Sequence, residues 1–163
     1  MPRQFSFNIF STLMKASTFF TKDQQSLIRN SIKEAEKSTS GEIRVHIETG
    51  IKGEVLDRAA WIFKKTGMHK TKERNGVLFY LALNNRKFAI IGDAGINAKV
   101  PDDFWDEVKI KIETNFSTEK FTEGLAEGIR MTGLKLKEYY PHEKSDINEL
   151  PDEISFEDNY ETE

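Results

Sequence analysis

Residues 75–83 are apolar at nearly every position, which indicates a strand buried on both faces. Asn84 and Asn85 follow, and a second apolar segment, residues 86–93, ends in a glycine and an aspartate. An asparagine pair between two apolar segments is typical of a tight turn, so we expect the two strands to form a hairpin. This hairpin lies at the centre of the predicted sheet.

The preceding segment predicts a parallel crossover onto this hairpin. Residues 42–48 alternate between polar and apolar side chains, as in a strand with one buried and one wetter face. Apolar residues then recur at helical spacing from Leu56 to Phe63, and the pattern stops at Gly67. A strand, a helix and a strand of these lengths usually form a right-handed parallel connection. The first two strands are therefore parallel and the third returns antiparallel.

Further helices are predicted on each side of this sheet. Residues 21–24 have the form of a capping box and open an amphipathic helix that ends before Ser38. A helix with an acidic first turn begins after Pro101, and a last amphipathic helix begins after Ser117. The sequence therefore predicts an α/β protein, a three-layer α/β/α sandwich with a mixed sheet and helices on both faces.

Length and charge predict one domain with two flanking segments. A chain of 163 residues suits a single core. Its last 23 residues contain nine acids and one lysine, a net charge of −8, and few apolar side chains, which is typical of disorder. We assign residues 1–20 to an N-terminal extension, 21–140 to the domain and 141–163 to an acidic, largely disordered tail.

Composition excludes several classes of function. The chain contains no cysteine, so disulfides, thiolate zinc sites and a cysteine nucleophile are excluded. Its basic residues are scattered instead of forming the stripe that binds nucleic acid. We find no clear signal peptide and no run of about 18 apolar residues, so we expect no transmembrane segment.

The predicted topology gathers acidic side chains at one edge of the sheet. The starts of the two parallel strands and the end of the third meet there, which brings Glu42, Asn75 and Asp93 together. The loop after Asp93 leads to three aspartates at the start of the next helix. Oxygen ligands suit a hard cation, and calcium tolerates irregular geometry better than magnesium does. The candidate metal ligands are Glu42, Asp93, Asp102, Asp103 and Asp106.

Simpler structural roles for these acidic residues remain open. Acids in the first turn of a helix are stabilising by about 0.3–1 kcal/mol each without a metal, and Asp93 can simply stabilise a turn. The opposite edge, with Glu48 and Gly50, is a rival ligand site, although an ordinary strand-to-helix connection accounts for it. His46 is expected at the surface. No segment has the spacing of a known catalytic constellation, so the catalytic residues remain unassigned.

Several of these segments together resemble the TPM domain family, named for a thylakoid lumen protein, a photosystem II repair protein and a nematode receptor modulator. The resembling segments are residues 40–45, 74–79, 88–96 and 121–125. The resemblance covers about residues 21–140. It implies an α/β/α sandwich, divalent-cation binding in some members and acid phosphatase activity in plant relatives. Carried onto this chain, it nominates Glu42, Asp93, Asp102 and Asp103.

This chain also departs from the family pattern. Many relatives have a Gly-x-Gly-apolar-Glu loop, whereas residues 92–97 here are one residue longer and end in an amide. That difference bears on which side chains serve as ligands. Many bacterial relatives carry a signal peptide and a membrane anchor, and this sequence shows neither. We therefore expect a soluble, cytoplasmic bacterial protein.

Two functional hypotheses follow. The leading one is a calcium-binding interaction module whose partner is another protein, with a membrane-associated partner left open. The alternative is a metal-assisted acid phosphatase in which Asp93 serves as nucleophile or base. The acids have no adjoining nucleophile or base, which favours the interaction module, and whether the protein is an enzyme stays open.

Overall fold

The computed structural model describes residues 2–7, 15–142 and 154–156, and its described strands form one mixed sheet. Their order is β1-β4-β3-β2-β5. The parallel pair β2 and β3 and the antiparallel hairpin of β3 and β4 are confirmed. The five strands are β1 (Arg3–Ser6), β2 (Glu42–Glu48), β3 (Gly76–Ala82), β4 (Lys87–Gly92) and β5 (Ile154–Phe156).

Helices cover both faces of this sheet, so the predicted three-layer α/β/α fold is confirmed. α3 packs on one face against Leu78 and Tyr80 of β3. α2, α5 and α6 pack on the other face, over a core that includes Phe79 and Phe88. None of the helices in the described part of the chain is both long and apolar enough to span a bilayer. The helices are α1 (Ala16–Phe19), α2 (Lys22–Glu36), α3 (Val55–Lys65), α4 (Ala94–Lys99), α5 (Phe104–Phe116) and α6 (Phe121–Tyr139).

Local signals in the sequence account for several helix boundaries. The predicted capping box starts α2, since the Gln24 N–H donates to Thr21 Oγ1 at 3.1 Å and the Thr21 N–H donates to Gln24 Oε1 at 2.9 Å. Gly67 lies just beyond α3 with a φ of 77°, a left-handed conformation that glycine adopts without strain. The short helix α4 was not predicted. It begins at Ala94, and the side chain of the preceding Asp93 caps it.

The sheet extends into both segments that flank the predicted domain of residues 21–140. β1 comes from the N-terminal extension, and its Phe5 stacks on Phe88 with ring centroids 5.0 Å apart. β5 comes from the predicted disordered tail, so residues 154–156 correct that prediction. Composition averaged over the whole tail hides the apolar residues Ile154 and Phe156 of this strand, which pairs with the outer edge of β2. Residues 143–153 and 157–163 lie outside the described part of the chain.

The prediction of a wetter face on β2 was wrong. All seven of its residues are buried, including the polar residues that face α3. His46, expected at the surface, is 0% exposed. The physical reason is that β2 lies between two strands and is covered on both faces. Its alternating pattern encodes a buried polar network instead of a solvated surface.

Candidate functional site

The starts of β2 and β3 and the end of β4 meet at one edge of the sheet, as predicted. Glu42 is in register with Gly76, and its N–H donates to the carbonyl of Asn75 at 3.4 Å. The Asp93 N–H donates to the carbonyl of Gly76 at 2.9 Å. Glu42, Asn75 and Asp93 therefore border the same residue, and we call these three the carboxylate edge.

The carboxylate of Asp93 already has partners in this arrangement. Arg74 donates to both of its oxygens, from Nε at 2.7 Å and from Nη2 at 2.8 Å. The Ala94 N–H donates to Asp93 Oδ1 at 2.7 Å, which caps α4. Asp93 is 7% exposed, whereas the Arg74 side chain is 53% exposed. A guanidinium at the surface thus neutralises the central acid of the predicted cation site.

Asn75 supplies an oxygen whose hydrogen bonding is incomplete. Its side chain is buried, and Nδ2 donates to Ser40 Oγ at 3.2 Å. Oδ1 is also buried, and no donor among the described residues is within hydrogen-bonding distance of it. A buried acceptor without a donor costs about 1–3 kcal/mol. This edge therefore contains a buried oxygen whose capacity to accept a hydrogen bond is unused.

The three aspartates near the start of α5 do not complete a cluster. Asp102 and Asp103 are exposed, and Asp106 accepts a hydrogen bond from Arg3 Nε at 2.6 Å. Trp105 fixes this end of α5, because its Nε1 donates to Asn97 Oδ1 at 2.8 Å. Within residues 2–7, 15–142 and 154–156, no three His, Asp or Glu side chains form a group that could hold a metal. The carboxylate edge thus combines two acids with one amide.

A second polar group of side chains lies beneath α3, centred on Glu48. Arg58 donates to Glu48 Oε1 from Nε at 2.7 Å and to Oε2 from Nη2 at 2.9 Å. The hydroxyl of Tyr80 donates to Oε1 at 3.0 Å. His46 Nε2 lies 3.6 Å from Glu48 Oε1, and His46 Nδ1 lies 2.6 Å from Ser155 Oγ. This buried network links α3 to strands β2, β3 and β5.

Burial and mutual contact set the protonation states in this network. Burial opposes ionisation of Glu48, but the contacts with His46 and Arg58 outweigh it and hold the pKa of Glu48 at about 2. Burial lowers the pKa of His46 below 6.5, more than Glu48 raises it. Burial and the adjacent Glu48 raise the pKa of Tyr80. Near pH 7, Glu48 is therefore ionised, while His46 and Tyr80 are neutral.

This network was missed from the sequence. The sequence places Glu48 only in a rival ligand site at the opposite edge, whereas in the structure its carboxylate accepts two hydrogen bonds from Arg58 of α3. The available signal was the arrangement of Arg44, His46 and Glu48 on alternate positions of one strand. Once β3 is recognised as the parallel neighbour, the register puts Tyr80 beside His46. Because His46 and Tyr80 are both buried, the network is structural instead of an exposed catalytic group.

The network predicts that the protein loses stability in acid in two steps. His46 has a lower pKa in the folded protein than in the unfolded chain, so the unfolded chain takes up a proton first as the pH falls. The stability that depends on neutral His46 is therefore fully present above pH 6.5 and is lost as the pH falls below that value. Glu48 stays ionised in the folded protein at a pH where it is already protonated in the unfolded chain. The stability that depends on ionised Glu48 is therefore lost as the pH falls from 4.5 to about 2. We expect urea unfolding between pH 8 and pH 5 to show the first loss. This loss of stability should be smaller in His46→Gln. It should be unchanged in His142→Gln, because the imidazole removed there is exposed.

The sequence model of the TPM domain matches residues 13–134. The chain belongs to the TPM domain family. The matched range includes β2, β3, β4 and the Glu48 network except Ser155, and it leaves out strands β1 and β5. The TPM domain of this protein is thus extended by one strand at each edge of its sheet.

Solved structures agree with this assignment. The NMR structure of BA42 protein from the psychrophilic bacterium Bizionia argentinensis is similar, with 44% identity and a TM-score of 0.81 over 87% of this chain and 98% of that one. The N-terminal domain of a P. gingivalis protein is 21% identical, with a TM-score of 0.64 over 79% and 85% of the two chains.

The N-terminal domain of cg2496 from Corynebacterium glutamicum shares the fold at 14% identity, with a TM-score of 0.60 over 78% of this chain and 80% of that one. The last two comparisons show the fold alone. No protein among those with curated descriptions matches this sequence.

Proposed function

We propose that this TPM domain is a divalent-cation-binding interaction module in which the carboxylate edge binds calcium and the ordered edge contacts a protein partner. The observation that carries the proposal is the buried Asn75 Oδ1, which has no donor among the described residues and belongs to a residue whose backbone adjoins those of Glu42 and Asp93 around Gly76. Carboxylate and amide oxygens are the ligands that calcium takes in proteins. The proposed setting is the bacterial cytoplasm.

The bound cation would supply positive charge that links three segments of the sheet. Glu42 belongs to β2, Asn75 precedes β3, and Asp93 follows β4. Calcium accepts six to eight oxygens, so these three side chains leave positions for water, for backbone carbonyls or for a partner's acid. Asp102 and Asp103 are further proposed ligands, whereas Asp106 would first have to leave Arg3.

Arg74 is the internal competitor for this cation. Its guanidinium contacts both oxygens of Asp93, so calcium binding at Asp93 requires the arginine side chain to move away. Because half of that side chain is exposed, the guanidinium can move into solvent, and the bound cation would then replace it as the partner of the buried Asp93 carboxylate. Arg74 therefore lowers calcium affinity without preventing binding.

The test is a calcium titration followed by melting temperature and by calorimetry. At free calcium ten times the dissociation constant, the free energy of unfolding rises by about 1.4 kcal/mol for a ligand that binds only the folded state. Asp93→Asn retains the helix cap but removes the charge, so we expect it to lose most of this response. Arg74→Gln breaks the same ion pair and should increase the apparent calcium affinity.

The opposite responses of these two variants separate binding from simple loss of the ion pair. Asp23→Asn makes the same chemical change at an exposed acid in the first turn of α2 and serves as the matched control. It should respond to calcium as the unsubstituted protein does. If no variant changes the calcium response, or if calcium at 10 mM produces neither heat nor stabilisation, the proposed cation site is wrong.

One observation favours the alternative, a metal-assisted acid phosphatase. Arg74 places a surface guanidinium beside Asp93, and such a group binds phosphate with paired hydrogen bonds. A cation held at the carboxylate edge would polarise a phosphoryl oxygen. Turnover of a generic phosphoester should then disappear in Asp93→Asn. Turnover that is unchanged in Asp93→Asn comes from a contaminating enzyme.

A further inference from the structure

β5 is a short strand at the outer edge of β2. It runs parallel to β2, with Ile154 opposite Val45 and Phe156 opposite Ile47. The match to the TPM domain model ends at residue 134, before this strand begins. Without β5, the backbone donors and acceptors on the outer edge of β2 would lack these strand partners. β5 thus occupies an edge that the matched part of the domain leaves available.

The side chains of β5 make a separate contact on each face of the sheet. Ile154 is 4% exposed and belongs to the core beneath α2 and α6, and Phe156 packs partly against the same core. Ser155 points to the opposite face, is 1% exposed and lies within hydrogen-bonding distance of His46. The edge of β2 therefore accommodates an aliphatic, a hydroxyl and an aromatic residue in succession.

The connection to this strand begins near the start of β2. Thr39 and Pro141 form an isolated antiparallel bridge just beyond α6, and the His142 N–H donates to the Ser38 carbonyl at 3.1 Å. This bridge fixes the chain before the connection of residues 143–153, so release of β5 leaves α6 and the bridge in place.

We propose that the outer edge of β2 is a peptide-binding site for an extended segment of a partner protein. The segment runs parallel to β2 and carries an aliphatic residue, a serine or threonine, and an aromatic residue in that order. Residues 154–156 are the built-in occupant, which the partner segment replaces. Strand addition of this kind gains affinity from backbone hydrogen bonds and specificity from alternate side chains. The proposal does not depend on a cation at the carboxylate edge.

The test uses the full chain and a fluorescent peptide with the sequence of residues 152–158. The variant Ile154→Asp places a charge in an apolar contact and should release β5 from the edge. We expect this variant to bind the peptide at least about tenfold more tightly than the unsubstituted chain, because the attached strand no longer competes. Fluorescence anisotropy measures both dissociation constants.

Two comparisons locate the binding at the edge of β2. Replacing serine by alanine in the peptide should weaken its binding to Ile154→Asp by about three- to tenfold, the effect of one lost hydrogen bond. That difference should disappear when the chain also carries His46→Leu. If circular dichroism shows that Ile154→Asp is unfolded, Ser155→Gly replaces it, with an expected gain of about threefold.

Three results would overturn the proposal. One is equal peptide affinity in the unsubstituted chain and in the released variant. Another is equally tight binding of a peptide with the same composition in scrambled order. The third is a serine-to-alanine effect that persists in His46→Leu, which would place the peptide elsewhere on the domain.

Discussion

Replacing Glu48 by alanine should lower the free energy of unfolding by about 3–4 kcal/mol. Glu48 is 2% exposed and accepts two hydrogen bonds from Arg58 and one from Tyr80. Its removal leaves the Arg58 guanidinium, with a side chain only 12% exposed, without its carboxylate. The Tyr80 hydroxyl also loses its acceptor. Urea unfolding at pH 7 measures the change.

Two further variants show whether charge or packing causes this loss. Glu48→Gln keeps an oxygen for Tyr80 and most of the volume, so it should cost less than Glu48→Ala. Glu54→Ala removes an exposed acid that makes no side-chain cap hydrogen bond on α3, and it should change stability by about 0.5 kcal/mol or less. A loss below 1 kcal/mol in Glu48→Ala would show that the buried network contributes little.

Gly95→Ala is expected to destabilise the protein by about 2–3 kcal/mol. A Cβ atom at this position would lie against the carbonyl oxygens of Glu73 and Arg74, at 2.6 Å from the latter. Both obstacles are backbone atoms, so no side-chain rotation relieves the clash. The Gly95 N–H also donates to the Arg74 carbonyl at 2.9 Å. Accommodating a methyl group must therefore move α4 away from the loop that carries Arg74.

Gly50→Ala is the matched control for this substitution. A Cβ atom there would be 3.4 Å from Asn84 Cβ, which is an ordinary contact, and the backbone needs no positive φ. We expect that variant to unfold within about 1 kcal/mol of the unsubstituted protein. If Gly95→Ala were as stable as Gly50→Ala, the close approach of α4 to residues 73 and 74 would be contradicted.

The central fold was predictable because its signals are local. The apolar run before Asn84 identified β3, and the alternation of residues 42–48 identified β2. The capping box at Thr21 located the start of α2. These patterns also placed Glu42 and Asp93 at a common edge, because strand direction follows from the order of the elements and the connections between them.

The remaining features depend on contacts that no local pattern records. Arg3 reaches Asp106 across 103 positions in the chain and forms an ion pair with this predicted ligand of the cation site. Arg74 has a φ of 53° and turns its guanidinium onto Asp93, which its sequence neighbours do not reveal. β5 is three residues within an acidic segment, so average composition concealed it. Each of these contacts requires the folded chain to bring distant residues together.

The most direct test of the proposed function is a calcium titration of the full chain followed by two-dimensional NMR of its amide groups. We expect saturable shifts at the backbone of Glu42 and residues 92–95 and at the side-chain amide of Asn75. These shifts should be absent in Asp93→Asn. No shift at these positions with 10 mM calcium, or shifts confined to acidic residues elsewhere in the chain, would contradict calcium binding at the carboxylate edge.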